Sequence, residues 1–195
     1  MCTSIVKNGN NIKSQKLKES ENKMSKRARQ YIGLLSAVLA YYIIHEGAHF
    51  IYALTIGVFK QINFMGIGMQ IDVYNTAMND MQMGIFCLLG AVATFIVGYA
   101  LVLPSGKICK VQNKLFKAIM YYITIIMLLL GPLYLSVLCG FFGGGDMNGI
   151  SLLVPELAAR IIFGILLIIN GFVFWKAVLP KYTMAFRKGE EHSDD

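Results

Sequence analysis

Charge is scarce in this sequence, and acid scarcer still. Its 195 residues include 18 Lys and Arg but only 11 Asp and Glu, and 15% are charged in all. Soluble domains carry about 25%, so the shortage argues against a chain that meets water on every side. Histidine occurs three times and tryptophan once. The four cysteines, Cys2, Cys87, Cys109 and Cys139, form no C-x-x-C pair, which argues against thiolate zinc sites and dithiol redox motifs. They read as small buried hydrophobes. No apolar h-region precedes Cys2, so a lipoprotein signal is not expected. Nor is any polar stretch long enough for a separate soluble fold, which leaves one membrane domain.

What the chain has in quantity is hydrophobic residues, 56% of the total, with a mean hydropathy of +0.57. They gather into four blocks, residues 31–59, 83–104, 115–142 and 158–180, each meeting the roughly 20 needed to cross a bilayer. The fold class is therefore an all-α polytopic membrane protein with about four transmembrane helices. The domain itself is expected over 31–180, between a basic disordered tail at 1–30 and a second tail at 181–195. Met24, followed by SKRARQYIGLL, is a plausible second start, and the first span is expected to stay uncleaved. Between the first two spans, FKQINFMGIGMQIDVY changes period: Ile62 and Phe64 alternate with Gln61 and Asn63, and Met69, Ile71 and Val73 with Gln70 and Asp72. Alternation around glycines predicts a small β-hairpin. Its open edges cannot face lipid, so it belongs at the surface or against a protein-lined cavity. Gly131-Pro132 predicts a kink in the third span, and a glycine-rich loop then leads to a helix start at Asp146.

The net charge of +7 is not spread evenly. Eight basic residues (Lys7, Lys13, Lys16, Lys18, Lys23, Lys26, Arg27, Arg29) precede the first span, and Lys107, Lys110, Lys114 and Lys117 join the second to the third. Lys176, Lys181, Arg187 and Lys188 end or follow the fourth, while Lys60 and Arg160 alone fall near the other loops. This asymmetry predicts a multi-pass protein of the cell membrane with both termini in the cytoplasm. The basic excess marks orientation rather than a nucleic-acid partner.

One polar cluster interrupts the first span. His45-Glu46-Gly47-Ala48-His49 is an H-E-x-x-H arrangement. On a helix, positions i and i+4 stack on one face, so both imidazoles reach one ion. The intervening Glu stands close enough to work on a water there as general base. Ionisable residues inside a membrane are functional by default, although interhelical hydrogen bonding is the plainer use of the same groups. A catalytic zinc wants a third protein ligand and one open position. His192 lies in the C-terminal tail, far from the motif. His45 sits about 21 Å of helix into the span, which puts the motif in the outer half of the membrane. Asp146 and Glu156 are the acids of the outer loop between the third and fourth spans. Asp146, beside glycines that permit close backbone approach, is the better candidate, and a helix N-cap is its alternative use. Thr94 and Asn148 are candidate lining residues for a polar, substrate-binding cavity, with a back-bonded threonine and a turn asparagine as the alternatives.

HEGAH in a span, a following hairpin and a distant Asp in a glycine-rich segment resemble the site-2 protease family of intramembrane zinc metalloproteases. The stretch LLGAVATFIVGYAL, residues 88–101, resembles that family's G-P-x-x-N segment, with Ala91 at the proline and Thr94 at the asparagine position. The likeness covers about residues 35–150 and implies a small member without a PDZ domain. It implies His45, His49 and Asp146 as zinc ligands, Glu46 as the base, and a membrane protein or peptide as substrate, cut within or beside the lipid bilayer. Leu138 and Phe141 stand where that family has N-x-x-P before its Asp-Gly, and Gly149 does not follow Asp146 directly. The rival expectations are a non-proteolytic membrane protein that binds zinc or a partner, and a small permease component.

Overall fold

The computed structural model describes residues 24–65, 68–142 and 145–191. Most of the expected tail at 1–30, residues 66 and 67 of the expected hairpin, the glycines Gly143 and Gly144, and His192 therefore lie outside the described residues. Four helices among those residues are long and apolar enough to cross a membrane: Lys26–Thr55, Asp80–Val102, Lys114–Phe141 and Glu156–Arg187. Leu35, Leu39 and Ile43 on the first, and Ile161, Ile165, Ile168 and Phe172 on the last, are exposed. In water a continuous apolar surface of that kind is a liability; in a bilayer it faces lipid.

Helix α1 (Lys26–Thr55) begins five residues before the expected span, because Ser25 caps it by accepting a hydrogen bond from the Ala28 amide at 3.1 Å. It ends before residue 59, where the chain turns into the hairpin. Strands β1 (Phe59–Met65) and β2 (Gly68–Val73) pair antiparallel, with Ile62 opposite Ile71 and Gln61 opposite Asp72. The alternation is real on β2, where Ile71 and Val73 are buried and Gln70 is exposed. The Lys60 ammonium hydrogen-bonds Asp72 at 3.0 Å and holds that carboxyl below its ordinary value. The support this pair gives the hairpin is present above the ordinary carboxylate range and is lost as the pH falls through the lowered value.

Helix α2 (Asp80–Val102) opens on a capping box between Asn79 and Gln82. Helix α3 (Lys114–Leu133) continues through a widened π-helical turn at Tyr134–Leu138 to Phe142. Short α4 (Asp146–Ile150) packs on α2. Helix α5 (Glu156–Val173) runs through a second π-helical turn, Phe174–Val178, into α6 (Leu179–Glu191). The helix thus extends past the expected end of the span at 180. Its reason is packing: Tyr182 is buried, and its ring and that of Phe186 lie on Tyr121 of α3.

Pro132 explains one polar residue in the bundle. Proline has no N–H, so the Leu128 carbonyl four residues earlier loses its helical donor. Asn170 of α5 supplies a replacement, its Nδ2 donating to the Leu128 oxygen at 2.8 Å. Its Oδ1 in turn accepts from the Tyr99 hydroxyl of α2 at 2.6 Å. Three spans are tied by one amide that is 2% exposed. Replacing Asn170 with Ala is expected to destabilise the fold by about 1 kcal/mol and to lower the thermal midpoint with no change in metal content. An unchanged midpoint would mean that this carbonyl is satisfied by other means.

Candidate metal centre

The i, i+4 spacing on α1 does what helical geometry requires, and the loop after α3 completes the cluster. His45 Nε2 and His49 Nε2 stand 3.2 Å apart. Asp146 brings Oδ2 to 2.9 Å from His45 Nε2 and Oδ1 to 3.6 Å from His49 Nε2. His45, His49 and Asp146 could hold one metal ion. Tetrahedral zinc with bonds of 2.0–2.2 Å sets its ligand atoms about 3.3–3.6 Å apart. The two imidazole nitrogens already sit at nearly that separation, each with one carboxylate oxygen of Asp146 at 2.9 or 3.6 Å, and the set of two imidazoles and a carboxylate suits zinc chemically. The donors fit the ion.

What surrounds each donor fixes its direction. His49 is 3% exposed, and its Nδ1 hydrogen-bonds the Phe86 carbonyl of α2 at 2.7 Å. A proton on that nitrogen leaves the Nε2 lone pair free to bind a metal, the usual task of a second partner behind a ligating histidine. His45 is held differently. Its ring stacks on Tyr41, with centroids 5.3 Å apart and planes 17° apart, and its Nδ1 is buried without a hydrogen-bond partner among the described residues. The ring also lies against Gly90, where an added Cβ would come within 2.5–2.7 Å of Cε1 and the two ring nitrogens.

Asp146 arrives from a turn that only glycine fits easily. Gly145 has φ +42°, and a Cβ there would lie 2.8 Å from the Tyr134 hydroxyl. Burial disfavours ionisation of Asp146, but hydrogen bonding from His45 and the close approach of His49 outweigh it. Together they hold the carboxyl well below the ordinary range. The anionic form that these neighbours favour is the one a metal ligand needs.

Glu46 faces the same space. Its Oε2 accepts a hydrogen bond from the Ile71 amide at 3.1 Å, so the edge of β2 turned away from β1 lies against the carboxylate. A cavity of about 570 Å³ opens here, lined by Tyr41, His45, Glu46, His49, Asp146 and residues 68–71 of the hairpin, among others. The hairpin sits against a protein-lined cavity, as its edges require. Known protein families, curated proteins and solved structures include no match to this chain. The functional reading therefore rests on the site itself.

Two sequence-based candidates do not reach the cavity. Thr94 is fully buried, and its hydroxyl donates back to the Ala91 carbonyl at 2.8 Å, the local bond threonine makes when nothing else recruits it. Asn148 is exposed on α4 and is not among the cavity-lining residues; its backbone N–H donates to the Gly145 carbonyl and its backbone carbonyl accepts from the Ser151 hydroxyl. Conversely, sequence reading missed Gly90, Tyr41, the Phe86 carbonyl and the Ile71 amide. Only Gly90 left a trace, as the glycine of the segment likened to G-P-x-x-N.

Proposed function

We propose that this chain is an intramembrane zinc metalloprotease that hydrolyses peptide bonds of membrane-embedded or membrane-associated substrates. The observation that carries the reading is the convergence of His45, His49 and Asp146 on one point beside Glu46, at the wall of a cavity among apolar helices. His45, His49 and Asp146 would hold the zinc and leave one position open to the cavity. Zinc there supplies a Lewis acid, which activates water and polarises a carbonyl. Glu46 accepts the proton of the attacking water as its oxygen joins the carbonyl carbon. The C–N bond then breaks, and Glu46 returns the proton to the departing amine.

The hairpin gives this chemistry a way to handle helical substrates, whose carbonyls are hidden in their own hydrogen bonds. A peptide that unwinds can add as a strand to the free edge of β2, which passes beside Glu46. There a substrate carbonyl competes for the Ile71 amide that Glu46 accepts from in the free protein. Arrival of substrate thus both positions the scissile bond and releases the base. The charge asymmetry supports a multi-pass cell-membrane protein with cytoplasmic termini, and the H-E-x-x-H pair joined by a carboxylate is the donor pattern that zinc-dependent hydrolysis uses.

The reading is tested with the protein in lipid nanodiscs, incubated with hydrophobic single-span peptides in isotopically labelled water. The expected result is fragments with labelled oxygen in the new carboxyl terminus, abolished by a zinc chelator and restored by zinc. Fragments that ignore the chelator, or none from a broad set of peptides, would contradict it.

A further inference from the structure

At the end of the bundle away from the metal cluster, the starts of α1 and α3 and the body of α6 enclose a second cavity of about 160 Å³. Lys26 and Arg29 of α1 line one side and Thr183 of α6 the other, with Tyr121, Tyr122 and buried Tyr182 between them. We propose that this cavity binds the headgroup of an anionic glycerophospholipid. The proposal is independent of the proteolytic reading.

Charge is the first reason. This end of the bundle also carries Arg27, Lys107, Lys110, Lys114, Lys117 and Lys181, and the segments that join it hold six acids, Glu19, Glu21, Glu190, Glu191, Asp194 and Asp195, against a larger number of Lys and Arg; Glu46, Asp72, Asp80, Asp146 and Glu156 belong to segments nearer the other end. The field at the cavity mouth is therefore positive, and it favours a phosphodiester over a zwitterionic or neutral group. Arg29 is also fixed in place. One guanidinium nitrogen donates to the Met24 carbonyl at 2.8 Å, and a guanidinium has five N–H donors in all, enough to serve phosphate oxygens as well. Tyrosines at a span terminus stand at headgroup depth.

The second reason separates a lipid from a free anion. One turn after Gln30 of the cavity lining, α1 exposes Leu34 on the same flank, while Tyr31 and Leu35 are exposed round the far side of the helix. An apolar flank that begins beside a basic cavity matches a molecule with an anionic head and hydrocarbon tails. Inorganic phosphate would use only the first part of this surface.

Native mass spectrometry of the full chain, released from detergent containing phosphatidylglycerol or phosphatidylcholine with the same acyl chains, tests the proposal. The wild type is expected to retain one phosphatidylglycerol in preference to phosphatidylcholine. The Lys26→Ala/Arg29→Ala double variant should bind it at least about fivefold more weakly, since each basic residue near a membrane surface is worth roughly that factor. Lys107→Ala/Lys110→Ala removes the same charge outside the cavity and should leave the retained lipid in place. Thr183→Trp fills the cavity at an exposed position without removing charge, and should also expel the lipid. Equal loss from both charge variants, retention by Thr183→Trp, or equal binding of the two lipids would overturn the assignment. So would displacement by millimolar inorganic phosphate, which would give the cavity to a free anion.

Discussion

Replacing Glu46 with Gln is expected to cut peptide hydrolysis by about 10²–10⁴-fold, the range that a positioned general base contributes, while zinc content stays that of the wild type. The two halves of this result come from different atoms. The imidazole nitrogens and Asp146 oxygens that converge are not those of Glu46, so the metal has no reason to leave. A glutamine also keeps an oxygen that can accept from the Ile71 amide, so the hairpin stays in place. Only the ability to carry a proton is removed. Glu46→Ala removes the anchor too, and hydrogen exchange in β2 should rise in that variant and not in Glu46→Gln. The comparison also separates the enzyme from a non-proteolytic zinc protein in which Glu46 serves only to hold the hairpin. In such a protein Glu46→Gln would change nothing, whereas Glu46→Ala would still loosen β2.

Replacing Asp146 with Ala should empty the metal site almost completely, with loss of hydrolysis following from loss of zinc. Two imidazoles from one helix turn remain, but the carboxylate that brings the third donor and its charge is gone. The same phenotype is expected from residues that touch no metal. Gly90→Ala would drive a Cβ into the His45 ring. Gly149→Ala would set one against the Cys87 sulfur and 3.0 Å from the backbone oxygen of Met83, pushing α4, and Asp146 with it, off α2. Zinc analysis of the purified variants, with far-ultraviolet circular dichroism to establish folding, checks all three. Full zinc content in folded Asp146→Ala would show that another group completes the site.

The parts of this arrangement that sequence reading reached are those set by local periodicity. Apolar runs long enough to span a bilayer became helices, and alternation about Gly68 became a hairpin. The i, i+4 imidazoles met because a helix leaves them little choice. Asp146 was within reach for a different reason: acids are so few that its loop offered one rival, Glu156. What stayed hidden depends on which elements touch. Nothing in the chain around Gly90 says that His45 will lie against it. Nothing near Asn170 says that Pro132, on another span, leaves a carbonyl there to be satisfied. Thr94 and Asn148 suit a polar cavity by type, yet the Thr94 hydroxyl bonds its own helix and Asn148 stands exposed on α4, outside the cavity lining. The helix start at Lys26 turned on one capping serine within a segment whose composition reads as a tail.

X-ray absorption at the zinc edge, on wild-type protein purified in mild detergent with zinc supplied during growth, tests the metal centre most directly. One zinc per chain is expected, with imidazole nitrogens and carboxylate or water oxygens at about 2.0–2.2 Å, and no sulfur in the coordination shell. Well-folded protein that retains no zinc, or zinc held by cysteine sulfur, would contradict the account.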